Sequence, residues 1–162
     1  YEKDRVFDCT PIGASIIGWD NGIHYCFIRG FDEIVFTVNP DTCCDYYVYP
    51  IAKNFNDFLR LILASKNTNV LQQIILWDKE DYISFTNSPD EMTYYSQQSV
   101  IDTLAAIQGL GISPMEQPFE YVKSIQNGFD YSKILFSDSY YDTTGREKPS
   151  FNEEDRGTVH LS

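Results

Sequence analysis

Two histidines, His24 and His160, are the side chains of this sequence that titrate nearest neutral pH. His24 falls inside the apolar run Ile23–Ile28, between Ile23 and Tyr25, with no second ligand at metal spacing. That setting reads as a hydrogen-bonded histidine of a sheet, not as a base or a metal ligand. His160 lies in a polar C-terminal segment. Carboxylates cluster at Asp32/Glu33, Asp78/Glu80/Asp81, Asp90/Glu91 and Glu153/Glu154/Asp155. A glycosidase needs two carboxyls facing each other across a sugar, one of them in apolar surroundings. These groups fall in turns, at helix starts or in the C-terminal segment, where capping and solvation account for them. No H-E-x-x-H, G-x-S-x-G, glycine-rich phosphate loop or dinucleotide fingerprint occurs. Gly109-Leu110-Gly111 follows a helical pattern and reads as a helix stop. The expectation is a non-enzyme with no catalytic residues, no metal and no cofactor.

The four cysteines, Cys9, Cys26, Cys43 and Cys44, form no C-x-x-C pair, and the adjacent Cys43-Cys44 could close only a strained disulfide. Cys26 sits among apolar neighbours as a small core residue. This usage fits a reducing cytosol, and a cytoplasmic location is expected. No run approaches the length of a membrane span, and no signal peptide is visible; the sequence begins at Tyr1, so its start says little about targeting. Twelve basic against 24 acidic side chains leave a net charge of −12, which argues against nucleic acid and anionic membranes as partners. The same charge suits either plain solubility or the masking of a basic protein. Twelve Tyr and eleven Phe suit strands and also contact surfaces. Tyr46-Tyr47-Val48-Tyr49 and Tyr94-Tyr95 are the candidate contact aromatics.

The elements that would position these residues begin with a meander. Strands are expected at Ala14–Trp19, Ile23–Ile28, Glu33–Val38 and Tyr46–Ile51, with Asp20-Asn21-Gly22 as a tight hairpin turn. Ile23–Ile28 is apolar on both faces and reads as a central strand. Asn54 caps a helix whose Phe55, Phe58, Leu59, Ile62 and Leu63 form one apolar stripe. Further helices are expected over about 69–77, from Asp78 through Phe85, from Ser88 to about Gln108, and over about 118–127. The third of these opens with a capping box, Ser88 at the cap, Pro89 at the first turn and Glu91 three residues on. Lys133–Ser137 is expected as a last strand. The fold class is α+β: an antiparallel meander of four or more strands packed against an amphipathic helix, with additional C-terminal helices. One domain spans 1–137, with the sheet in 14–51 and helices in 54–128; 138–162 is a polar, partly disordered tail. The expected core holds Ile17, Trp19, Tyr25, Phe27, Val35, Phe36 and Val38 from the sheet. From the helices it holds Phe55, Phe58, Leu59, Ile62, Leu71, Ile74, Ile75, Trp77, Ile101, Leu104, Ile107 and Val122.

The passage Tyr49-Pro50-Ile51-Ala52-Lys53-Asn54-Phe55-Asn56-Asp57-Phe58-Leu59-Arg60-Leu61-Ile62-Leu63 follows the pattern P-x-A-x-x-F-x-x-F-L-x-x-L. It resembles the SUKH superfamily, which includes bacterial immunity proteins and relatives of a yeast cell-wall synthesis regulator. The likeness covers Trp19 to about Leu63. It departs from the family in lacking the usual N-terminal helix and in carrying extra helices between 67 and 127. The run from Gly22 to Pro40, with the following helix, also looks like uncharacterised proteins of Gram-positive gut bacteria. The resemblance implies a binding domain that neutralises a toxin, many such toxins being nucleases with basic grooves. The acidic balance is compatible with such a partner.

The expected function is therefore a non-enzymatic protein-binding module of immunity type with a basic protein partner. Asp32 and Glu33 at the strand turn, and Asp41, Asp45, Tyr46 and Tyr47 before the fourth strand, are the candidate partner-binding residues. The alternatives are a regulatory or housekeeping scaffold of the same fold, and an enzyme built around His24.

Overall fold

The meander forms because its strands are β-branched and aromatic and its turns are coded locally. The computed structural model describes residues 6–42 and 44–161. β1 (Ala14–Asp20) turns into β2 (Ile23–Ile28) through Asn21-Gly22, whose φ values of 48° and 84° match a two-residue hairpin. β3 (Val35–Val38) and β4 (Val48–Ala52) complete an antiparallel sheet in the order β1-β2-β3-β4. The expected α+β class is thus the class observed. β3 is shorter than expected, since Glu33 and Ile34 belong to the preceding turn. The register of β1 on β2 slips by one residue between Ile16 and Gly18. Side chains alternate along a strand, so a one-residue slip changes the face of everything beyond it. Ser15 pairs with Phe27 on one face, whereas Trp19 pairs with His24 on the other.

Both faces of the sheet are covered, which is why Ile23–Ile28 is largely apolar. On one face Tyr25, Val35, Tyr49 and Ile51 pack with Phe58, Leu61, Leu71, Ile74 and Val122 of the helices. On the other, Cys26, Ile28, Phe36, Val38 and Val48 meet Phe129, Ile134 and Tyr140. Burial pushes the Cys26 thiol up to about 12, as befits a small core residue. The expectation that Cys43 and Cys44 stay unpaired falls on Cys43, which lies outside the described residues.

α1 (Phe55–Ser65) starts where the Asn54 side chain accepts the Asp57 N–H at 2.8 Å. Its buried residues are Phe58, Leu61, Leu63 and Ser65, and Phe55 is 46% exposed. The stripe is therefore counted from Phe58, not Phe55. α2 (Thr68–Gln73) runs into a 3-10 turn at Ile74–Leu76, and α3 (Lys79–Thr86) has a complete Asp78/Asp81 capping box. α4 (Pro89–Tyr95) begins at Ser88, whose hydroxyl accepts the Glu91 N–H. The Glu91 carboxylate does not reach back; it is buried and accepts twice from Asn67 Nδ2, at 3.0 and 3.2 Å. The single long helix expected up to Gln108 is broken at Ser96-Gln97, where the Ser96 hydroxyl binds the Thr93 carbonyl and competes with the helical ladder. α5 (Gln98–Gln108) follows, with Ile101 exposed. Ile17 and Trp19, also expected in the core, are exposed because β1 is an edge strand.

α6 (Pro118–Gly128) lies along β4 and covers that edge, Gln126 Nε2 donating to the Pro50 carbonyl at 3.2 Å. Lys133–Ser137 is not a strand; a 3-10 turn at Tyr131–Lys133 leads into an extended stretch outside the sheet. α7 (Asp138–Thr144), capped by Ser137, buries Tyr140 against the second face of the sheet. α8 (Glu153–Arg156) follows, and the Val159 N–H then donates to the Gly30 carbonyl at 2.6 Å. The polar composition of 138–161 thus carries a few apolar anchors that return to the sheet. No helix among the described residues is long and apolar enough to cross a membrane.

Candidate functional site

His24 is fully buried, and neither ring nitrogen has a hydrogen-bond partner. The expected hydrogen-bonded histidine is therefore replaced by one boxed between aromatic rings, Phe7 at 4.4 Å and Trp19 at 3.7 Å. Desolvation holds its pKa below the usual imidazole range. The second histidine, His160, contacts the carboxylate of Asp32 through Nδ1. Among the described residues no group of three or more His, Cys, Asp or Glu is placed to hold a metal ion.

The six candidate contact residues separate into two places. Asp32 and Glu33 lie on the β2–β3 turn, while Asp41, Asp45, Tyr46 and Tyr47 lie on the β3–β4 loop at the opposite end of β3. At the loop end much of the chemistry is turned inward. Tyr46 stacks on Tyr131 with centroids 3.8 Å apart and 13° between planes, and Arg146 lies 5.7 Å from the Tyr47 ring centre. Arg146 also donates to the Asp45 carbonyl, and the Asp41 N–H donates to Asn39 Oδ1 at 3.0 Å. These residues line, or lie next to, a second cleft of about 450 Å³ whose basic side chain is Arg146.

The turn end forms the more acidic site. Phe27, Asp32, Glu33, Asn54, Phe55 and Asn56 line an open cleft of about 620 Å³. Its floor is aromatic: Phe27 and Phe55 meet edge to face at 6.4 Å. Its rim carries two carboxylates from the turn. Asp32 takes φ 49°, a left-handed conformation that Asp tolerates better than most residues. The turn is held from below by the C-terminal segment. Arg156 donates from Nη2 to the Arg29 carbonyl at 2.6 Å and from Nη1 to the Lys133 carbonyl at 3.2 Å. Its guanidinium lies 4.4 Å from the centre of the Phe31 ring. Gly30, at φ 87°, leaves room for this approach.

An exposed aromatic floor with an acidic rim is suited to a lysine or arginine side chain, whose stem packs on the rings while its head meets carboxylate. The sequence pointed to Asp32 and Glu33 but placed Phe55 in the core. Phe55 is the first residue after the Asn54 cap, and a stripe at helical spacing can equally begin one turn later. The contribution of Arg156 carried no sequence signal, since the contact spans more than a hundred residues. In comparisons with protein-family models, curated proteins and solved structures, the chain matches none of them.

Proposed function

We propose that this chain is a non-enzymatic protein-binding module of immunity type, which captures a basic protein through the cleft between α1 and the β2–β3 turn. The observation that carries this reading is Phe55, nearly half exposed beside Phe27 and under the carboxylates of Asp32 and Glu33. A large aromatic left open next to two acids marks a place for contact with a cationic, partly apolar group. The net charge of −12 supports the same partner by long-range attraction. A toxin domain with a basic nucleic-acid groove is the candidate, and the cysteine usage suits action in the cytoplasm.

The test is capture from the host lysate, at low and at high salt, by the wild-type chain and by an Asp32→Lys/Glu33→Lys double variant. A basic protein retained by the wild type at low salt, released at high salt and missed by the variant supports the proposal. Equal capture by both chains would place the contact elsewhere, and capture of nothing basic would remove the partner class.

A further inference from the structure

The two edges of the sheet are treated differently. The β4 edge is covered by α6, through the Gln126 bond to the Pro50 carbonyl. The β1 edge has no such cover: among the described residues no backbone hydrogen bond from another element reaches Ser15–Asp20. We propose that this open edge is a strand-addition site for an extended basic segment of the protein partner. The proposal rests on the binding-module reading and specifies its backbone contact.

Pairing geometry fixes which groups are available. The Arg29 N–H donates to the Gly13 carbonyl at 3.0 Å. Inward and outward backbone groups alternate in antiparallel pairs, so Ser15 faces β2 and Ile16 turns its N–H and C=O to the open side. Beyond the slip at Ile17, the two-residue hairpin makes Asp20 and Ile23 an inward pair, which turns Trp19 outward. Edge strands are ordinarily guarded by lysine, proline, a cover or a bulge. Ala14–Asp20 contains no lysine and no proline, and among the described residues the bulge at Ile17 is what guards it. The bulge divides the edge into two short pairing stretches, of which the one at Ile16 adjoins Ser15, the partner of the cleft residue Phe27.

Charge selects the occupant. Ser15 lies across from Phe27, whose ring floors the cleft under Asp32 and Glu33, and Asp20 closes the far end of the strand. The base at the near end, Arg29, is held by Glu153 at 3.1 Å. A second copy of this chain would bring another −12 to the edge, so like-charge repulsion works against self-pairing. An extended segment with lysine or arginine at alternate positions pairs its backbone with Ile16 and lays one row of side chains over Phe27 and Phe55 toward the carboxylates.

The probe is a short capped peptide alternating lysine and valine, titrated into the full chain while amide exchange and affinity are measured. Comparison peptides are N-methylated at alternate residues in each register, or carry glutamate for lysine. The expected results are several-fold slower exchange of the Ile16 amide and affinity weakened roughly tenfold or more by methylation in one register. The glutamate peptide should not bind. If the lysine peptide binds, is weakened by Glu33→Lys, yet tolerates both methylations and leaves Ile16 exchange unchanged, the cleft reading stands and strand addition is overturned. If the lysine peptide does not bind, or the glutamate peptide binds equally, both are overturned.

Discussion

Trp19 covers His24: the two rings lie 3.7 Å apart, centre to centre, inclined at 54°. The contact follows from the two-residue hairpin, which sets Trp19 opposite His24, while the bulge at Ile17 reverses the alternation for Ser15 and Ile16. Phe7 closes the other side of the imidazole, which leaves His24 fully buried although Trp19 itself is 43% exposed. The cover over this buried titratable group is thus one ring thick.

That arrangement sets a pH dependence. Burial lowers the His24 pKa in the folded chain relative to its ordinary value of 6.5. The unfolded chain therefore takes up a proton first as pH falls, and stability should be full above 6.5 and decline below it. The decline should be visible before Glu120 titrates, since its hydrogen bond from Lys79 holds that carboxyl below its ordinary range. Thermal unfolding between pH 7 and 5, followed by Trp fluorescence, should show a falling midpoint. His24→Phe, which keeps the aromatic packing, should flatten that slope. An unchanged slope would assign the loss to another group.

In α1 the two phenylalanines should behave oppositely. Phe58 is buried against Tyr25, with rings 5.3 Å apart, so Phe58→Ala should cost about 3–5 kcal/mol. Phe55→Ala should cost less than about 1 kcal/mol, the scale of an exposed substitution, while weakening capture of a basic partner. Urea denaturation of both variants separates the two, and a large loss at Phe55 would mean that it serves the core.

What was legible in the sequence was local. Asn21-Gly22, Asn54, Asp78 with Asp81, and Ser88-Pro89 each mark a turn or a cap through chemistry confined to a few residues, and each lies where expected. Tertiary relationships were less legible. Phe55 and Phe58 are the same residue type on one helix, and the neighbouring turn decides which is open. Trp19 reads as core until the edge position of β1 is known. Asp32 and Glu33 fell together because they adjoin in sequence; Asp41, Asp45, Tyr46 and Tyr47 share their acidity and aromaticity but lie at the other end of a strand.

The buried carboxylate of Glu91 ties α4 to the cap of α2. Asn67 donates twice to it and also accepts the Asn69 N–H at 3.0 Å. Glu91→Ala should cost about 1.5–3 kcal/mol, the range for hydrogen bonds to a charged group. Asn67→Ala should cost at least as much, since it removes the cap and leaves a buried carboxylate without its donor. A double-mutant cycle in chemical denaturation should return a coupling of roughly 0.5–3 kcal/mol. Strict additivity would show that Glu91 is satisfied by water and not by Asn67.

The candidate cleft should depend on a contact it never touches directly. A Cβ at Gly30 would come within 2.6 Å of Arg156 Nη2, and the position has a φ of 87°. Gly30→Ala therefore carries a backbone penalty of about 1–2 kcal/mol and a steric one in addition. Arg156→Ala removes the donors to the Arg29 and Lys133 carbonyls and frees the turn that carries Asp32 and Glu33. The two losses should be less than additive, because without Arg156 the alanine methyl has room and the backbone penalty remains. Arg156→Lys should fail to restore the turn, since an ammonium cannot bridge two carbonyls with the fixed fork of a guanidinium. Hydrogen exchange at Phe31 and Val159, whose amides bond across this turn, reads the effect directly. Faster exchange at both in Arg156→Ala, with weaker capture of a basic partner, is the expected result; unchanged exchange would show that the turn holds itself.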